Sequence, residues 1–241
     1  MIVSRKQNKI ILFSLLSLVT IVTIFIGILI YPYHSKFPVV DSSKINVACI
    51  GDSITYGSGV KDSRDKDSYP VQLNKMLGED YQVLNYGASG RTLQDIGAKP
   101  YRKTGFIGAS LEATPEYVII MLGTNDSKPC NWNAEQYRSQ YIALIHQYQA
   151  LINAPKIYIM TPPAAFVMEG EEAVIHSIDP VVIRNEIRQI VTDIAKQTDV
   201  TLIDIYSITE NHPEYFVDGV HPGKDGNHVL AETIYEVLRS E

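Results

Sequence analysis

The hydrophobic rhythm of the chain changes near position 31. Ile10 to Ile30 is a run of 21 residues without a charge; 16 are Ile, Leu, Val or Phe and the rest are Ser, Thr or Gly. A helix rises about 1.5 Å per residue, so such a run reaches roughly 30 Å, the thickness of a bilayer core. From residue 44 onward, short β-branched runs alternate instead with stretches of helical spacing. Strands are predicted at Lys44–Ile50, Tyr81–Tyr86, Tyr117–Leu122, Lys156–Met160 and Val200–Ile205. Helices are predicted at Tyr69–Leu77 with Gly78 as its stop, at Ala134–Ile152, at Pro180–Thr198 with Pro180 in the first turn, and at Asp225–Ser240. Residues 91–114 read as mixed with short helices, and 164–179 as a loop. Five strands alternating with helices predict parallel βαβ units: a three-layer α/β/α sandwich around a five-stranded parallel sheet. In such folds ligands gather at the carboxyl ends of the strands.

The charges around the first apolar run assign it a direction. Arg5, Lys6 and Lys9 precede it, and the first acidic residue is Asp41. Positive flanks stay in the cytoplasm, so 1–9 reads as a cytoplasmic tail, 10–30 as a transmembrane anchor and 31–43 as a linker. The domain 44–241 is then extracytoplasmic. Tyr31 and Tyr33 sit where an interfacial aromatic belt would lie. A cleaved signal peptide is the rival reading. Its apolar region is usually shorter, and here no alanine precedes Ala48 to make a small-residue cleavage site.

Composition narrows the partners. The chain of 241 residues carries 21 Lys+Arg and 27 Asp+Glu, a net charge of −6. Four of the basic residues lie at or before position 40, so the remainder holds 17 basic against 27 acidic side chains, net −10. No basic stripe is present to neutralise phosphates, which argues against a nucleic-acid partner. Two cysteines, Cys49 and Cys130, exclude a disulfide scaffold and a thiolate zinc site. Cys49 reads as a core residue and Cys130 as a loop thiol near the site. No phosphate-binding glycine loop, His-Glu-x-x-His or Cys-x-x-Cys motif occurs. No cofactor and no metal are therefore expected, and the oligomeric state is left open.

Four segments at predicted strand or loop ends carry chemistry. They are Gly51-Asp52-Ser53-Ile54, Gly87-Ala88-Ser89-Gly90, Gly123-Thr124-Asn125-Asp126 and Asp218-Gly219-Val220-His221. They supply a serine, glycine N–H groups, a side-chain amide, a carboxylate and an imidazole, the inventory for acyl transfer. Each also has a plainer reading. Ser53 can cap the following turn, the glycines can serve positive φ, and Asp52 and Asp126 can hold their loops through backbone bonds. Ser89 is a rival nucleophile, but no Gly-x-Ser-x-Gly elbow surrounds it. Of six histidines, only His221 both has a carboxylate three residues before it and sits just before the final predicted helix; His212, ahead of Pro213, is a second histidine able to approach the site.

These blocks, in this order, resemble the SGNH (GDSL-type) hydrolase family, from about Lys44 to Glu241. Ile54 stands where the first block often has leucine. The resemblance implies a flavodoxin-like fold and ester hydrolysis or acyl transfer. It implies Ser53 as nucleophile, His221 as general base and Asp218 as its orienter. The oxyanion donors it implies are the Ser53 N–H, the Gly87 N–H and the Asn125 amide. The run Gly123-Thr124-Asn125-Asp126-Ser127-Lys128-Pro129-Cys130-Asn131-Trp132 is similar to that of bacterial carbohydrate or sialate O-acetylesterases. Trp132, Tyr56 and Asp52 are accordingly candidates for substrate contact, with Tyr101 and Arg102 as further cleft residues. The expected substrate is a small ester or acylated glycan. A lysophospholipase or short-chain lipid esterase, a glycan O-acetyltransferase and a non-catalytic glycan-binding domain are the alternatives.

Overall fold

A computed structural model describes residues 37–97 and 99–240. The predicted tail 1–9 and anchor 10–30 lie outside the described residues, as does the first part of the linker, residues 31–36. Among the described residues no helix is long and apolar enough to cross a membrane.

The described elements are β1 (Ile45–Gly51), α1 (Ser53–Tyr56), α2 (Tyr69–Leu77), β2 (Tyr81–Gly87), α3 (Phe106–Glu112), β3 (Tyr117–Met121), α4 (Ala134–Gln149), β4 (Lys156–Met160), α5 (Arg188–Thr198), β5 (Thr201–Ile203) and α6 (Lys224–Arg239). Short helical turns join several of them. All five strands are parallel, in the order β2-β1-β3-β4-β5. The predicted helix Pro180–Thr198 is helical throughout but carries a π turn at Ile183–Ile187 ahead of α5. The predicted loop 164–179 holds only a short turn at Ile175–Ser177.

The strands read as near-continuous apolar runs because both sheet faces are covered. Val47, Cys49, Ile119, Met121, Tyr158 and Met160 share one face and pack with Tyr69 and Leu73 of α2 and Leu230 and Ile234 of α6. By alternation, Ile50, Ile120 and Ile159 point the other way and are equally buried. On that side α4 contacts α5 and β4. Buried tyrosines of α4 anchor their hydroxyls in sheet-end carbonyls: Tyr137 donates to Leu122 O at 2.7 Å and Tyr141 to Ile120 O at 3.1 Å. A four-residue spacing puts these two rings on one helix face, edge to face with centroids 5.7 Å apart.

The topology positions the site. From β1 the chain moves outward to β2, then returns past β1 to β3. The carboxyl ends of β2, β1 and β3 therefore lie side by side at the switch in strand order, where a crevice opens.

Candidate active site

Ser53 leaves β1 at its carboxyl end and starts α1. Asp52, the residue before it, caps that helix: its Oδ1 accepts the Ile54 N–H at 2.9 Å. Ser53 is thereby held on a tight strand-to-helix turn. Gly51 is required there, because a Cβ would lie 2.0 Å from Thr55 Oγ1 and 2.8 Å from the Met121 carbonyl oxygen.

The loop before α6 brings the imidazole. Asp218 Oδ1 accepts the N–H groups of Val220 at 3.0 Å and His221 at 2.8 Å, closing the loop on itself. Its Oδ2 lies 2.7 Å from His221 Nδ1, and His221 Nε2 lies 2.9 Å from Ser53 Oγ. Three side chains from two segments, 168 residues apart, thus form one continuous chain. Burial opposes ionisation of Asp218, but the bonds from the His221 ring and from the two backbone N–H groups outweigh it and hold its carboxyl below the ordinary value.

The loop after β3 places Asn125 beside them. Asn131 Nδ2 donates to the Asn125 carbonyl oxygen at 2.8 Å, and Asn125 Nδ2 reaches Asp52 Oδ2 at 3.3 Å. Asp126 ties this loop to the one after β2, accepting the N–H groups of Leu93 and Gln94, each at 2.9 Å. Burial pushes the carboxyls of both Asp52 and Asp126 up to about 6, against the bonds they accept.

These groups open into a cleft of about 490 Å³ lined by Ser53, Gly90, Asn125, Asp218 and His221, with Ser58, Ser89 and Thr92 among the rest. Cys130 also lines it; both cysteines are free, and burial pushes the Cys49 thiol up to about 12.

The structure places several of the residues singled out in the sequence away from the cleft. Gly87 does not line the cleft, and its N–H donates to Asn85 Oδ1 at 2.8 Å. Its glycine identity answers a packing need, since a Cβ there would sit 2.1 Å from the Tyr56 backbone nitrogen. Gly90, three residues on, does line the cleft at φ +73°, and its N–H has no acceptor among the described residues. Trp132 lies outside the cleft. The turn that bonds its N–H to the Lys128 carbonyl oxygen at 3.0 Å carries the ring away, onto Tyr137 at a centroid distance of 5.4 Å. There its indole N–H donates to Glu186 Oε2 at 2.9 Å.

Asp52 is 1% exposed and supports the site from beneath. Tyr56 carries the Arg64 guanidinium 4.0 Å above its ring and is not a cleft residue. Tyr101 and Arg102 line a separate cavity of about 220 Å³. His212 pairs with Glu214 at 2.7 Å and stacks on Tyr215. The histidine that approaches is His176, whose ring centroid is 6.1 Å from that of His221. No periodic signal marks it in the sequence. Among the described residues no group of three or more His, Cys, Asp or Glu side chains is arranged to hold a metal ion.

Residues 49–229 match the GDSL-like lipase/acylhydrolase family. An acetylxylan esterase of Xylanibacter ruminicola is 34% identical over 226 aligned positions, covering 85% of this chain and 45% of that protein. The chain thus spans less than half of that relative's length. A carbohydrate acetylesterase from Sinorhizobium meliloti superposes with a TM-score of 0.65 at 23% identity, covering 82% of this chain and 99% of that one. The aryl esterase of M. smegmatis superposes equally well, with a TM-score of 0.65 at 23% identity over 81% of this chain and 98% of that one. The parallel sheet with its flanking helices is therefore the SGNH-like α/β fold.

Proposed function

Because the chain belongs to the GDSL-like lipase/acylhydrolase family, we propose that it is a serine esterase that removes acetyl or similarly small acyl groups from a carbohydrate. The observation that carries this reading is the relay Ser53 Oγ, His221 Nε2, His221 Nδ1, Asp218 Oδ2, with successive contacts of 2.9 and 2.7 Å. An ionised Asp218 only accepts, so the ring proton sits on Nδ1. Nε2 then offers its lone pair to the Ser53 hydroxyl. Ser53 Oγ attacks the acyl carbon as its proton passes to Nε2. The imidazolium returns that proton to the departing sugar oxygen, leaving an acyl-serine. Water then loses a proton to Nε2 and attacks the acyl carbon; Ser53 recovers the proton and the carboxylic acid is released.

The negative oxygen of each tetrahedral intermediate needs donors. The Asn125 amide and the Ser53 N–H serve, with the Gly90 N–H in the role that the motif assigned to Gly87. A lining dominated by Ser, Thr, Asn, Lys and His suits a sugar better than a fatty acyl chain. The name of the Xylanibacter ruminicola relative supports the same substrate class.

The test is a chain-length series on the full-length protein: p-nitrophenyl acetate, butyrate and octanoate beside acetylated sugars. Highest kcat/KM on acetate, with acetate released from the sugars, is expected. Activity rising from acetate to octanoate would make it a lipid esterase instead.

We place the domain 44–241 outside the cytoplasmic membrane, tethered by 10–30. The support is the charge asymmetry around an uninterrupted apolar run. Protease added to spheroplasts is expected to digest the domain; full protection would reverse the orientation.

A further inference from the structure

The cleft is cationic although the domain is not. Residues beyond position 40 carry a net −10, yet the lining includes Lys61, Lys99, Lys128 and His176 against one carboxylate, Asp218. Asp218 is committed to His221 and to two backbone N–H groups. The three lysines come from three different loops, those following α1, β2 and β3. None has an ion-pair partner among the described residues, whereas Arg138, Arg188 and Lys224 elsewhere pair with carboxylates.

Two of the four positive or ionisable side chains approach residues of the site itself. Lys99 Cδ is 3.9 Å from where a Cβ on Gly90 would stand, which puts its stem against the oxyanion donor. The His176 ring stands 6.1 Å from that of His221, centroid to centroid, and its backbone is held at φ +58°, with Ser177 also at φ +58°. Two successive non-glycine residues in the left-handed region are uncommon, and such strain persists where surrounding structure imposes it. A low-dielectric crevice lined by one sign of charge concentrates ligands of the other sign.

We propose that the cleft selects acyl esters on a sugar that itself bears an anionic group, with Lys61, Lys99, Lys128 and His176 setting the preference. This rests on the esterase reading and specifies its substrate. Lysine is a point-charge partner for carboxylate and phosphate alike. The shared feature is thus an anion on the acylated saccharide, and the test separates its two sources.

The full-length protein is assayed on matched acetylated monosaccharides: a neutral hexoside, the corresponding uronide and the corresponding phosphosugar. At low ionic strength an anionic member is expected to exceed the neutral one in kcat/KM by about tenfold. That ratio is expected to fall toward 1 in about 0.5 M salt, where the screening length is only a few ångströms. It is also expected to fall toward 1 in the Lys61→Gln/Lys99→Gln/Lys128→Gln variant. Whichever anion shows the effect identifies the source. Equal use of all three sugars, or a preference that survives both salt and the triple substitution, overturns the proposal.

A second readout does not depend on turnover. Ser53→Ala protein is titrated calorimetrically with oligogalacturonide, inorganic phosphate and a neutral galactose oligomer. Salt-sensitive binding of an anionic ligand over the neutral one is expected, and indifference counts against the proposal. Anion binding by a protein that releases no acetate from any ester would leave the selectivity standing and remove the esterase reading.

Discussion

Ser53→Ala is expected to lower kcat on acetyl esters by about 10⁴- to 10⁶-fold while leaving the fold intact. The size follows from chemistry: without Oγ no acyl-serine forms, and only the oxyanion donors and substrate binding remain. The structural effect is small because Ser53 Oγ contributes one bond, to His221 Nε2. His221 stays oriented through Nδ1 and Asp218. Loss of one hydrogen bond costs about 1 kcal/mol in stability. Turnover measured beside a thermal melt separates the two quantities. A variant with more than a tenth of normal turnover would displace Ser53 as nucleophile. Ser89 would then be next in line; it lines the same cleft, but among the described residues its hydroxyl is hydrogen-bonded to that of Ser58, at 3.0 Å, and not to a histidine.

Gly87→Ala is expected to destabilise the protein by about 3 kcal/mol or more, with loss of activity following loss of fold. A Cβ at this position would stand 2.1 Å from Tyr56 N, 2.5 Å from Tyr56 Cα and 2.6 Å from Thr55 C. All three are backbone atoms of α1, the helix that begins with Ser53, so no rotamer change relieves the contact. Asn125→Ala is expected to behave in the opposite way. It should lower kcat about 10²- to 10³-fold, the effect of deleting one oxyanion donor, in a protein that still folds. Urea unfolding and kcat measured on both variants make the comparison. A Gly87→Ala protein with normal stability and selectively reduced kcat would return Gly87 to the oxyanion site and remove Gly90 from it.

The two glycines show how far a motif carries. Gly87 and Gly90 stand three apart in one polar segment, and either could present an N–H to the substrate. The choice depends on Asn85, whose Oδ1 turns along its own strand to take the Gly87 N–H while its Nδ2 donates to the Thr55 carbonyl oxygen at 2.9 Å. Asp218 and His221 were easier to read, because a three-residue spacing within one loop brings them together without help from the rest of the fold. Trp132 was harder. A tryptophan in a polar loop suggests a sugar platform, but its partner Glu186 lies 54 residues away, on the π turn before α5.

The strands were legible for a different reason. Burial on both faces of a parallel sheet leaves an uninterrupted apolar run, and each observed strand falls within two residues of its predicted ends. The long helices were equally visible, except for the π turn, which changes backbone bonding without changing the spacing of apolar residues enough to show.

The linear order of residues was sufficient for the element sequence, the parallel sheet and the pairing of Asp218 with His221 within one loop. These depend on periodicity and on groups a few residues apart, and burial and local hydrogen bonding impose both directly. Folding in three dimensions was needed to determine which glycine lines the cleft, which histidine flanks His221, and that lysines 61, 99 and 128 share that cleft. Each of those facts depends on loops brought side by side by strand order. Contacts across dozens of residues arise from packing of the whole sheet and leave no local pattern in the chain.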